Sequence, residues 1–423
     1  MSQEKEIQRW KVRWESLSEV MGSLRADITL TDIQEKDALQ SLINGLALKG
    51  EEHFNVFLDG FSDNPQNGQF IIDRPQDSRV RFSKEYVLRK ALDRIAFDLD
   101  VIYLAFKQRS DKSHYNSLEE TLDLADNLAL QALQPAIKQN LVGPGTVALT
   151  YLQKSFETRV IPYAEVSLIG IPFTSVRLTE DLLAIPHEVG HYVFWNSHLK
   201  GQNGQELLDP LRNASFEWTE EIFADVYGCV VAGPVMALDF QDLQLEFASY
   251  DPITKTNEFE EGVDQVHPTP ILRPRIYSET LKKMKARGVT STELGNLDNI
   301  ADLLDSRWET KLGERGYLPQ SAIPIPALQD KISSVIDDAL NILEPEKAVT
   351  GFWSNQSVQN VEDLYDHFYL YAGEPHGPRP AVEIPVQAEE VVVQDDRIKI
   401  PVVEWLEELR ADGWTTEGPH GRS

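Results

Sequence analysis

His187-Glu188-Val189-Gly190-His191, followed about thirty residues later by Glu221-Ile222-Phe223-Ala224-Asp225, decides how this chain is read. In a helix, positions i and i+4 share a face, so His187 and His191 can aim two imidazole nitrogens at one point. Glu188 then sits one step round, where a carboxylate can reach a water on a metal held by the pair. Glu221 and Asp225 repeat the i, i+4 spacing, which suits a third metal ligand and a carboxylate that orients a ligating histidine.

The flanks of both stretches are apolar. Leu182, Leu183, Ile185, Val189 and Val193 surround the first, and Ile222, Phe223, Val226, Cys229 and Val230 the second, which predicts two buried helices. Acids are seldom buried without a partner, and a cation is the obvious one here. The competing reading is a solvated or salt-bridged pair of helices without metal.

Working outward, Pro186 either opens the first helix or kinks a longer one begun near Thr179. Residues Val160 to Phe173 read as strands, and Pro162 and Pro172 point to an edge strand. Such a strand can pair with an extended substrate backbone or be an ordinary sheet edge. His198 to Asn213 reads as an exposed linker, and Val266 to Tyr277 as a rigid turn entering a helix.

Over the first 140 residues the pattern is helical, with Ile7, Trp10, Trp14, Leu17, Met21 and Leu24 on one stripe. Thr31-x-x-Gln34 and Ser117-x-x-Glu120 read as capping boxes, and Ser83 precedes a helical pattern through Phe106. Asp59 to Asp77 reads as a loop. Leu328 to Leu343 marks a further helix, and Ala381 to Val403 a hairpin around Gln394-Asp395-Asp396. The expected class is α+β, predominantly helical, with a small edge sheet. Three regions are expected: a helical one over 1–145, a metal-binding core over 146–290 and a mixed one over 291–423.

Composition narrows the function classes. Of 423 residues, 41% are hydrophobic and 26% charged, and no apolar run is long enough to span a bilayer. A net charge of −28 disfavours nucleic acid and anionic membranes as partners and leaves the acidic helical flanks as a possible protein-binding surface. A single cysteine rules out an intramolecular disulfide framework, and Met1 to Glu6 lacks the apolar stretch of a signal peptide. A cytoplasmic location is the expectation.

The third ligand separates the known ways of completing H-E-x-x-H. Phe194 stands where a metzincin-like site needs Gly, and His198 falls one residue beyond the required His. Cys229, downstream in an apolar setting, reads as core. Glu221 remains.

With these residues in view the chain resembles the gluzincin clan of zinc metallopeptidases, and within it peptidases similar to the CAAX prenyl endoprotease. That group shares H-E-x-x-H, E-x-x-A-D, and H-P with an arginine six residues after its histidine, here His267-Pro268 and Arg273. The resemblance spans residues 160 to 277, and the transmembrane helices usual in the prenyl-protease branch are missing. It implies a zincin-like core with one zinc per chain on His187, His191 and Glu221, and hydrolysis of a peptide or protein substrate. Glu188 would act as base on a zinc-bound water, and Asp225 would hold one imidazole in its ligating tautomer. Glu220 rivals Glu221 as ligand, but the E-x-x-x-D register selects Glu221. His267 is a candidate donor to the charged oxygen of the tetrahedral stage, with Arg273 or Tyr227 in support. In the alternative, His267 caps a helix and Arg273 makes a surface salt bridge. A catalytically silent zinc-bearing scaffold and a zinc hydrolase of a non-peptide amide are the competing functions.

Overall fold

The computed structural model describes residues 3–59, 69–72, 80–110, 116–159, 161, 163–201, 204–246, 267–290, 299–316, 326–345, 353 and 360–373. The described chain is predominantly helical with a small three-stranded sheet and a separate two-stranded hairpin. Two compact units are distinguished, residues 1–21 with 47–98, and residues 22–46 with 99–382.

In the first unit lie the N-terminal part of α1 (Gln3–Leu30), most of α2 (Lys36–Asp59), the hairpin of β1 (Gln69–Ile72) and β2 (Val80–Ser83), and the start of α3 (Lys84–Ser110). The stripe read on α1 is turned inward: Trp10, Trp14 and Met21 are buried, and Trp14 stacks on Phe54 with ring centres 5.4 Å apart. Strand β1 falls within the stretch expected to be loop. Its partner is eight or more residues away, so local turn composition hid it. Nor does Thr31 cap a helix; its hydroxyl donates back to the Asp27 carbonyl, and α2 begins only at Lys36.

In the second unit, α4 (Asn116–Lys138) leads through a turn at Gly143 to β3 (Val147–Gln153), β4 (Glu157–Arg159) and β5 (Val166–Pro172). The strand order is β3-β5-β4, with β5 parallel to β3 and antiparallel to β4. The segment expected at an edge therefore supplies the central strand. Pro172 closes β5 without interrupting its ladder, and one edge of the sheet is the three-residue β4. The other edge, β3, is covered by side chains: the Gln108 amide exchanges two 2.7 Å hydrogen bonds with Leu152 N and O, and Asp126 Oδ1 accepts from Thr150 N at 2.6 Å.

From β5 the chain passes through 3-10 turns at Phe173–Val176 and Thr179–Ala184 into α5 (Ile185–Asn196), with Pro186 in its first turn. The segment expected as an exposed linker carries a short helix, α6 (Asp209–Arg212), and buries Leu208 and Leu211. Then come α7 (Thr219–Ala232), α8 (Pro234–Glu246), α9 (Arg273–Ala286), α10 (Ile300–Glu314), α11 (Pro326–Leu343) and α12 (Asp363–Gly373). On α11 the whole apolar stripe read from sequence is buried. The hairpin expected at Ala381 to Val403 lies outside the described residues.

Helix α5 packs on β4 and β5 and crosses α7, which in turn packs on α9 and α11. Gly190 allows the crossing, since a Cβ there would meet Ala224 Cα at 2.7 Å. Among the described residues no helix is long and apolar enough to cross a membrane.

Candidate metal centre

The α5–α7 crossing brings His187, His191 and Glu221 together, so that one donor atom of each lies within 4.8 Å of the others. His187 Nε2 and His191 Nε2 are 3.1 Å apart, and each stands 3.5 Å from a Glu221 oxygen. Ligands about 2.0–2.1 Å from a tetrahedral zinc are separated by about 3.3–3.4 Å, so this donor set fits such an ion.

The electrostatics point the same way. Glu188, Glu220, Glu221 and Asp225 crowd round the two imidazoles, and Arg273 is the guanidinium that faces them. Burial and Arg273 push the His187 imidazole down, but its hydrogen bonds to Asp225 and Glu221 outweigh both and lift its pKa to about 9. Burial is the largest influence on His191 and lowers it, but the hydrogen bond to Glu220 together with the Glu221 and Glu188 charges raises it on balance. Burial pushes Glu221 and Asp225 up, yet the Arg273 charge and the imidazoles hold both below their usual range, Glu221 well below. The negative field thus draws positive charge onto the histidines, and a divalent cation meets the same demand.

Asp225 is fully buried. Its Oδ1 lies 2.9 Å from His187 Nδ1 and accepts from Arg273 Nη2 at 2.8 Å, and the Tyr277 hydroxyl donates to it as well. The imidazole expected to be held by Asp225 is therefore that of His187. Glu220 is not placed as a ligand, because its Oε1 faces His191 Nδ1 at 2.8 Å, on the far side of the ring from Nε2.

Glu188 is buried beside the ligands, and the Thr158 hydroxyl on β4 lies 2.7 Å from both its Oε2 and its backbone carbonyl. The proton of that hydroxyl can serve one of the two at a time. His267, 52% exposed at its side chain, sets Nε2 3.3 Å from Glu221 Oε1, at the open side of the cluster. Arg273 is buried, donates to Glu221 Oε2 at 2.8 Å, and lies over the Phe240 ring. Its Nη2 also lies 3.1 Å from His187 Nε2, so the guanidinium sits against the donor atoms themselves, and its ion pairs to Glu221 and Asp225 are buried. Tyr227 requires correction. Its hydroxyl donates to the Ala132 carbonyl at 2.7 Å and its ring packs on Phe223, so it lies in the core, away from the cluster. His198 pairs with Glu206 at the surface, and Cys229 is buried.

Thr158, Tyr277 and the Glu220 contact escaped the sequence reading. Helical periodicity alone would have excluded Tyr227, six residues from Glu221 and so about 120° round α7. No family model matches this chain, and no curated protein or solved structure matches it significantly.

Proposed function

We propose that this chain is a zinc-dependent peptidase with a zincin-like core, resembling the gluzincins. The observation that carries the reading is Glu188, a buried carboxylate one step from the His187–His191 pair and held by Thr158. A purely structural zinc needs no such base.

His187, His191 and Glu221 would hold the ion. Bound there, zinc supplies Lewis acidity, polarising a carbonyl and acidifying water. Glu188 takes a proton from the attacking water as the new C–O bond forms, and hands it to the amine nitrogen as the C–N bond breaks. Thr158 fixes the carboxylate for both transfers. His267 is the exposed imidazole next to the cluster that can donate a hydrogen bond to the oxygen on which charge develops.

Purified protein is expected to carry about one zinc per chain, and His191→Ala and Glu221→Ala to lose it. Glu188→Gln is expected to keep zinc and fold yet lose turnover. A survey of new protein N-termini in cells expressing the parent chain or Glu188→Gln tests this. Identical N-termini in the two would overturn the peptidase reading in favour of a silent scaffold or a non-peptide hydrolase.

A further inference from the structure

The two imidazoles are held by different carboxylates in different surroundings. His187 is served by Asp225, which is fully buried and tied to Arg273 and Tyr277. His191 is served by Glu220, whose side chain is 29% exposed. The same Glu220 oxygen accepts the indole N–H of Trp195 at 2.7 Å. Trp195 lies one turn beyond His191 on α5, is 39% exposed, and packs edge-on to Phe194 with centroids 5.2 Å apart. His187, His191 and Trp195 thus follow one stripe of the helix at i, i+4 and i+8.

We infer that Glu220 is a positioning residue for His191, and that Trp195 holds Glu220 in place. By accepting the Nδ1 proton, Glu220 leaves the Nε2 lone pair turned toward His187 and Glu221, and fixes the ring angle at which it points. Glu220 stands in the first turn of α7 directly before Glu221, so one helix end supplies both a ligand and the support for another. The E-x-x-A-D pattern gives this residue no role. One ligand is therefore locked from within the core and the other from a tryptophan at the surface. This inference rests on the metal-binding reading of the site.

Zinc affinity of the full-length chain, measured by competition with a chromogenic chelator, tests it. Glu220→Ala is expected to bind zinc ten- to a hundredfold more weakly. Glu220→Gln is expected to recover most of that loss, because its amide oxygen still accepts the Nδ1 proton. Trp195→Phe is expected to weaken binding by a smaller factor and to remove most of the tryptophan fluorescence change on adding zinc. The melting temperature of the metal-free Glu220→Ala protein is expected to stay within a few degrees of the parent. Unchanged affinity in Glu220→Ala, with zinc lost from His191→Ala, overturns the assignment and leaves the metal site standing. An affinity loss that Gln does not restore and that tracks a lower metal-free melting temperature overturns it too. Retention of zinc by His191→Ala would instead remove the metal site itself.

Discussion

Arg273 is the residue on which the buried carboxylates depend when no cation is present. It bridges Glu221 and Asp225 at 2.8 Å each from a nearly buried position, so its removal leaves two desolvated charges with only the imidazoles to compensate them. Arg273→Met is expected to destabilise the metal-free protein by about 3–5 kcal/mol, and the zinc-loaded protein by less, because the ion takes over part of the compensation. Urea unfolding with chelator and with zinc checks this; equal losses under both conditions would contradict it. The candidate ligands were legible in the sequence because the spacing within each pair is a property of single helices. Their supports were not, because Thr158 reaches Glu188 across 30 residues and Arg273 reaches Asp225 across 48, distances over which no periodicity speaks.

Between elements, the α5–α7 crossing sets the distance between the histidine pair and Glu221. Gly190→Ala would drive a methyl against Ala224 backbone and Tyr227 Cβ, at 2.7 to 3.1 Å, and wedge the helices apart. A stability loss of about 1–3 kcal/mol is expected, with zinc affinity falling alongside. Chelator competition and urea unfolding of one preparation measure both. The β4–α5 contact acts on Glu188 instead. Thr158→Val is expected to keep zinc and lower turnover on the order of ten- to a hundredfold, while Thr158→Ser restores much of it. Assay on a substrate found by the N-terminal survey decides, and zinc loss in Thr158→Val would show that β4 supports the ligands as well. Helices were readable from sequence wherever one face is apolar, as on α11. The order of the sheet was not: the stretch read as strand holds Pro162 and Pro172 in sequence, which mimics an edge, while the central place of β5 is set by β3 and a three-residue β4 that has no pattern of its own.

Across the molecule, the ion pairs bear unequally on stability. Asp126 joins Arg109 at 2.8 Å and the Thr150 backbone at 2.6 Å, all out of water. Asp126→Ala is expected to cost about 3–5 kcal/mol in urea unfolding, whereas breaking the half-exposed Lys282–Asp302 pair is expected to cost under about 1 kcal/mol. Comparable losses would mean that burial does not rank these pairs. The same Asp126, together with Gln108, bears on the behaviour of the protein in concentrated solution. Fibrous stacking propagates only if each arriving chain presents two open margins, one to bind and one to be bound. Here Thr150 N and both backbone groups of Leu152 on β3 are already taken by a carboxylate from α4 and an amide from α3, so a chain that docked at β4 would offer its neighbours a partly blocked back. A sheet blocked on one side in this way disfavours its own polymerisation.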